Sequence, residues 1–213
     1  MKNSSLKFIF ILLLIIAVGY WIMSKGVFGG VVRGVKGVPD PIQKEAKGST
    51  KKKIGGYDMD IQYLYSYDIE ALVVHDEDYD DGSLSGTIAP KDVALAWGAV
   101  AEYNDRIDFN WEQSNRWYYW HVNDVGVLGP VGGEDGVSTH SANTHLIPAD
   151  SRVKDDVMKI KQGDHIKLTG YLVNVDGSKP DGQTFYWYSS TTRDDTGDGA
   201  CEVMYVESVS WLD

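Results

Sequence analysis

From residue 57 onward, apolar and polar positions alternate far more often than they recur at helical spacing, and the reading is mainly β. In RIDFNW, Ile107, Phe109 and Trp111 alternate with Asp108 and Asn110, which predicts a half-buried strand. GDHIKLTGYLVNVDG sets Ile166 and Leu168 on one face against His165, Lys167 and Thr169. Gly170 then permits a bulge before Tyr171 to Val175. KPDG at 179–182 reads as a turn into a returning strand, Phe185 to Tyr188. A last strand in CEVMYVESVSW aligns Cys201, Val203, Tyr205, Val209 and Trp211 on one parity.

Two stretches carry a helical pattern. APKDVALAWGAVAEY offers Pro90 for a first turn, Asp92 near the positive end of a helix dipole, and a stripe of Val93, Ala96, Trp97 and Val100. DSRVKDDVMKIKQG predicts a short helix capped by Asp150 or Ser151, with Gly163 beyond its end. Strands interrupted by two short helices imply an antiparallel, barrel-like or α+β domain.

The amino-terminal quarter behaves differently. Phe8 to Met23 is an unbroken apolar run of sixteen residues flanked by Lys2, Lys7 and Lys25. A spanning helix needs about 20 residues, so the run depends on its neighbours or a thin bilayer. No small-x-small cleavage site follows it directly, which favours an uncleaved signal anchor over a removed signal peptide. Residues 24–56 hold glycine, lysine, valine and two prolines without a lasting period, and read as a flexible basic tether. The expected organisation is an anchor over 1–24, a tether over 25–56 and one domain over 57–213.

Charge divides at the same boundary. Residues 1–56 carry ten Lys/Arg and two Asp/Glu, net +8, whereas residues 57–213 carry ten and twenty-nine, net −19. So acidic a domain repels phosphate backbones, which excludes nucleic acid as a partner. The basic stretch suits anionic headgroups near a bilayer. A short amino-terminal tail usually stays inside, so export of the folded domain is favoured. Cys201 is the sole cysteine and rules out an internal disulfide framework.

Candidate chemistry centres on HSANTHLIPAD at 140–150. His140 and His145, five apart, converge only if this segment is a loop, and a zinc site needs three or four ligands at bonding distance. The alternative is a structural loop whose Ser141 and Asn143 bond neighbouring backbone. A hydrolase would gather His140, Asn143, His145, Arg193, Asp194 and Cys201, with an imidazole as base and Arg193 steadying an anionic intermediate. The parity of Cys201 with Val203 and Tyr205 instead predicts inert burial. Asp76, Asp78 and Asp80, and separately Asp194 and Asp198, begin like calcium loops. Neither closes with a glutamate at the twelfth position, so both read as solvated acidic turns. No metal or cofactor is therefore expected. Trp111, Trp117 and Trp120 are candidates for a binding platform for sugar or peptide, because the run WYYW must place aromatics on both faces of a strand.

Four phrases, APKDVALAWG, QSNRWYYW, HSANTHLIPA and SSTTRDDTGDGACEVMYV, occur in this order over most of residues 89–206, with GDHIKLTGYLV between them. In this the chain resembles an uncharacterised family of bacterial membrane-anchored proteins, largely from Gram-negative organisms. The resemblance implies a short anchor and one globular domain, and no activity. The resulting expectation is a membrane-tethered, non-enzymatic accessory or binding domain. It would sit at the bacterial inner membrane, face the periplasm and meet other membrane or periplasmic proteins. A hydrolase or metal-dependent enzyme built on the histidine segment, and a glycan-binding module using exposed aromatics, are its rivals.

Overall fold

The computed structural model describes residues 33–192 and 200–212. The expected anchor, the first residues of the tether, and Arg193 and Asp194 lie outside the described residues. Among the described residues, no helix is long and apolar enough to cross a membrane.

The domain is mainly β, as its alternating pattern predicts. Strands β1 (Ile42–Glu45) and β2 (Ser49–Ile54) precede the long β3 (Tyr57–Asp78), and helix α1 (Leu84–Ile88) leads into β4 (Lys91–Ala96). Helix α2 (Gly98–Tyr103), the hairpin β5 (Glu112–Ser114) and β6 (Trp117–Tyr119), a 3-10 helix (Val125–Val131) and α3 (Gly133–Thr139) come next. The chain ends with β7 (Ser141–Pro148), α4 (Ser151–Val157), β8 (His165–Ser178), β9 (Thr184–Tyr188) and β10 (Glu202–Trp211).

Five of these strands form a ring. β3 pairs with β4, β4 with β7, β7 with β10, β10 with β8, and β8 again with β3. Every pairing is antiparallel except β7 with β10, which is parallel. Closure leaves these segments without an exposed edge. The inside fills with Ile69, Ala71, Leu72, Val93, Leu95, Leu146, Ile166, Leu168, Leu172, Met204 and Val206, and Val153, Val157 and Ile160 from the α4 segment join the same core.

Beyond the ring, β3 and β8 continue side by side, with β2 and β9 on their outer edges, as a four-stranded antiparallel sheet. Its buried face is reversed. A bulge in β3 between Tyr63 and Tyr65 shifts the register, so Met59 and Ile61 pack with Val173 and Val175 of β8 instead of Leu168 and Leu172. These side chains cover Ile147 of β7 and Val203 and Tyr205 of β10 on the outside of the ring, together with Ile88 and Ala89. A second, smaller core thus fastens the extension to the barrel wall.

Several sequence expectations change here. Residues 91–96 form a strand rather than the start of a helix, and only Gly98–Tyr103 is helical. All six residues of β4 are buried because both faces of the strand are covered, and that erases the alternation which would have marked it. The stretch expected as a flexible tether supplies β1 and β2, both hydrogen-bonded to β3. Ile107 and Phe109 are buried as their alternation implies, but the strands of that region lie later, at 112–114 and 117–119. The bulge expected at Gly170 belongs instead to its neighbour β10, between Val206 and Ser208. Gly170 is required for another reason: a Cβ there would lie 2.0 Å from the Tyr205 carbonyl oxygen. That bulge also moves Val209 off the face of Val203 and Tyr205, and it packs against the main core. The α4 helix matches expectation, with Asp150 Oδ1 accepting from the Val153 N–H at 2.8 Å.

The acidic run at 76–81 is only partly a solvated turn. Asp76 lies in β3, and its Oδ2 accepts from the buried Lys91 Nζ at 2.7 Å and from Lys161 Nζ at 3.1 Å. Its Oδ1 takes the Gln162 N–H at 2.7 Å. Burial alone would raise this carboxyl, but the hydrogen bond and charge of Lys91, with the other donors, outweigh it and hold the pKa below the usual 3.8. Asp76 therefore contributes stability that is present above pH ~4 and lost as pH falls through its lower folded value. Urea denaturation across pH 2 to 5 should show this loss in the native chain and a smaller one in Asp76→Asn. Lys91→Ala, which strands Asp76 and Asp78, should cost about 3–5 kcal/mol at neutral pH.

Candidate functional site

Strand alternation divides the wall formed by β4, β7 and β10 into two sets of side chains. Val93, Leu146 and Met204 point inward, so Asp92, Ala94, Ser141, Asn143, His145 and Val203 occupy the outer face, where cross-strand pairing sets Asp92 opposite His145 and Ala94 opposite Asn143. Three connections fold over this face: α1 and its flanks between β3 and β4, the β5–β6 hairpin between β4 and β7, and β9 with its flanks between β8 and β10. The result is a cleft of about 570 Å³, lined by Ser85, Arg116, Trp117, His145, Trp187 and Cys201 and by the neighbours of Trp187 along β9.

The hairpin is seated by its turn. Asn115 and Arg116 both take positive φ, 52° and 72°, as a two-residue turn of the primed type requires. Arg116 pays that conformational cost at the tip, and there its guanidinium reaches the barrel wall. Its Nη1 donates to Asp92 Oδ1 at 2.7 Å and to the Ala89 carbonyl at 2.9 Å. The guanidinium carbon lies 3.5 Å from the Tyr79 ring centroid and 5.5 Å from that of Trp187, close enough for cation–π attraction to both. The Arg116 backbone N–H donates to the Tyr79 hydroxyl at 2.9 Å.

Asp92 is 0 % exposed and faces two bases. Besides Arg116, His145 Nδ1 stands 3.0 Å from the same Oδ1, without the alignment of a hydrogen bond. Asp92 Oδ2 and Arg116 Nη2 are buried without hydrogen-bond partners, each costing about 1–3 kcal/mol. The His145 ring lies 4.7 Å from that of Trp187, tilted at 45°. Asn143 spreads its amide over three neighbours: Oδ1 accepts from Gln113 Nε2 at 2.6 Å, and Nδ2 donates to the Arg116 carbonyl at 2.8 Å and faces Cys201 Sγ at 3.4 Å. Gln113 Oε1 in turn meets His75 Nδ1 at 3.0 Å.

The sequence candidates divide accordingly. His145, Cys201 and Trp117 line the cleft, and Asn143 lies buried beside Cys201. His140 does not join them. The segment 141–148 is a strand rather than a loop, so five residues separate the two imidazoles by roughly 17 Å of extended chain. His140 closes α3, its Nδ1 donating to the Gly136 carbonyl at 3.0 Å, and its ring approaches Trp97. A shared metal site for the two histidines is thereby removed, and among the described residues no group of three His, Cys, Asp or Glu side chains could hold a metal ion. Cys201 is half-buried on the outer face of the wall, rather than pointing into the core. Trp111 and Trp120 pack against the main core, with Trp111 Nε1 donating to Asn104 Oδ1 at 2.9 Å, so the platform expected from Trp111, Trp117 and Trp120 does not form.

Asp92, Arg116 and Trp187 were missed as site residues. The sequence reading puts Asp92 near a helix dipole, gives Arg116 no role, and includes Trp187 only in the returning strand 185–188. The available signal was NR between two short polar-aromatic runs, a hairpin turn that brings a cation inward. A second hollow of about 640 Å³ lies along β2, but the lysines and aspartates that line it include the exposed Lys53–Asp58 pair. Comparison with protein-family models, curated proteins and solved structures finds no match for this chain.

Burial, followed by the charge of Asp92, pushes the Tyr79 phenol up to about 12. Stability carried by the neutral phenol is therefore complete below pH ~10 and lost as pH rises through 12. Alkaline unfolding between these values should be shallower for Tyr79→Phe than for the native chain. Asp92→Asn leaves Arg116 without its counter-charge and should lower the unfolding free energy by about 3–5 kcal/mol, measured in urea at pH 7.

Proposed function

We propose that this chain is a membrane-tethered binding domain that holds its ligand in the cleft over β4, β7 and β10. The observation that carries the reading is where the cleft lies in the ring. Counting β3, β4, β7, β8 and β10 as ring strands one to five, the third and fifth are parallel and α4 joins the third to the fourth. This order matches five-stranded Greek-key barrels of the oligonucleotide- and oligosaccharide-binding type. Those barrels bind on the face of strands two and three, between the connections one-to-two and four-to-five. Here that face carries Asp92, Asn143 and His145, and those connections supply Ser85 and Phe185 to Tyr188.

The charge of the domain disfavours nucleic acid, so the ligand is a protein or a glycan. Anchorage through the apolar run at 8–23, in the bacterial inner membrane with the domain on the periplasmic side, would keep the cleft near membrane partners and raise their effective concentration. A photo-crosslinking phenylalanine analogue at Tyr186, exposed at the rim of the cleft, should yield a discrete protein adduct in membranes. The same analogue at Val125, 63 % exposed on the 3-10 helix, should not. The adduct should fall at least about fivefold with Trp187→Ala, given the weight aromatic anchors carry at interfaces. Equal labelling from both positions, or none from Tyr186, would reject the reading.

A thiol hydrolase is a second reading, because Cys201 and His145 line one cleft and the buried Asp92 lies 3.0 Å from the imidazole. Against it, Cys201 has the Asn143 amide and the Arg116 carbonyl as neighbours, and Asp92 does not steer His145 through an aligned bond. Iodoacetamide at neutral pH should alkylate Cys201 no faster than the same thiol in the urea-unfolded chain. Faster alkylation in the folded chain would bring catalysis forward.

A further inference from the structure

One wall of the cleft is a strand edge. Among the described residues, β9 pairs with β8 on one side only. Ser189 N donates to the Val173 carbonyl and Lys179 N to the Gln183 carbonyl, so the hydrogen-bonded pairs in this ladder are the odd-numbered ones, including Phe185 with Gly177 and Trp187 with Val175. The backbone N–H and C=O groups of Thr184, Tyr186 and Tyr188 therefore point away from the sheet. They alternate with the period of an extended chain and have no backbone partners among the described residues.

Proteins usually blunt such an edge with charge, proline or a bulge. The other outer strand of this extension follows that practice: β2 carries Lys51, Lys52 and Lys53. β9 reads Thr-Phe-Tyr-Trp-Tyr and carries none of these devices. Its two faces also differ. Phe185 and Trp187 lean toward the second core and the cleft floor, whereas Tyr186 and Tyr188 are 61 % and 51 % exposed. The Tyr188 hydroxyl donates to Asp176 Oδ1 at 2.9 Å, which places a carboxylate beside the exposed tyrosines.

We infer that β9 receives an extended segment of a partner protein, in which apolar and basic residues alternate, as an added strand. Backbone pairing to Thr184, Tyr186 and Tyr188 supplies the register. Apolar side chains of the segment enter the cleft against Trp117 and Trp187. Its cationic side chains lie on the opposite face, over the Tyr186 and Tyr188 rings and toward Asp176. The net −19 charge of residues 57–213 selects a basic partner segment over an acidic one. The inference rests on the cleft-binding reading, and it replaces a generic ligand with a peptide held by its main chain.

The probe is an acetylated and amidated peptide of four Val-Lys repeats, titrated into the full-length chain in lipid nanodiscs and followed by tryptophan fluorescence and hydrogen exchange. Binding should slow amide exchange in the segment 184–188 about tenfold or more, while a Val-Glu peptide of the same length should not bind. Two further peptides carry N-methyl groups on every valine or on every lysine. A strand presents alternate N–H groups to opposite edges, so one of the two should lose roughly tenfold or more in affinity and the other should bind like the parent. Tyr186→Pro removes one outward N–H at a position an edge strand tolerates, and should weaken binding without changing the thermal midpoint by more than a few degrees. Equal binding by both methylated peptides, or unchanged exchange at 184–188, would overturn strand addition. Should the Val-Lys peptide fail while a peptidoglycan oligosaccharide quenches fluorescence in a Trp187-dependent way, the inference falls and the cleft-binding reading stands. Failure of all these probes together with the crosslink at Tyr186 would remove both.

Discussion

A sheet loses its exposed edges only when its first strand pairs with its last, and in this domain β3 meets that constraint by serving several neighbours at once. Its carboxy-terminal part takes β4 along one edge, and most of its length takes β8 along the other. The same strand has β1 and β2 on the β4 side. Ring closure, the inner core and the projecting sheet therefore all depend on the register of one 22-residue strand. A one-residue slip would exchange its buried and exposed faces. The bulge near Leu64 uses that property locally, turning the buried face outward so that the extension wraps the barrel instead of standing clear of it.

The cleft follows from this wrapping. Without the reversed face, Trp187 would not lean over His145, and the outer surface of β4 and β7 would be open wall. With it, a carboxylate, a guanidinium and an imidazole lie under aromatic cover, where the dielectric is low and each charge depends on its neighbours. Asp92 neutralises Arg116, and Tyr79 and Trp187 take the guanidinium faces. Such a group is costly to build and adds little to stability on balance. It holds the hairpin tip in one position over the wall.

The contrast between the two outer strands bears on how the domain meets others. Lysines on β2 guard an edge that faces away from the cleft, and the uncharged β9 leaves an edge bare beside it. An unguarded edge is open to pairing with another extended chain. The acidic surface around it repels like charge over a longer range than any single contact.

Local sequence was enough for whatever depends on neighbours along the chain. The β character, the turn at 179–182, the α4 helix with its Asp150 cap and the burial of Ile107 and Phe109 were all legible from spacing and turn chemistry. The strand at 91–96 was not, because burial on both faces removes the alternation that distinguishes a strand from a helix. Nor was the strand at 141–148, whose polar residues look like a loop until Gln113 and Arg116 are seen to satisfy Asn143. The site was half legible: His145, Asn143, Cys201 and Trp117 by residue type, but not the partners that give them a role. Asp92 lies 53 residues before His145 in the chain and Trp187 lies 42 after it, and ring closure brings both to the imidazole. The sequence by itself determined the β character, the division of charge at residue 57 and the residue types that line the cleft. Only the tertiary structure decided which of them meet, because long-range register and a reversed sheet face leave no trace in local spacing.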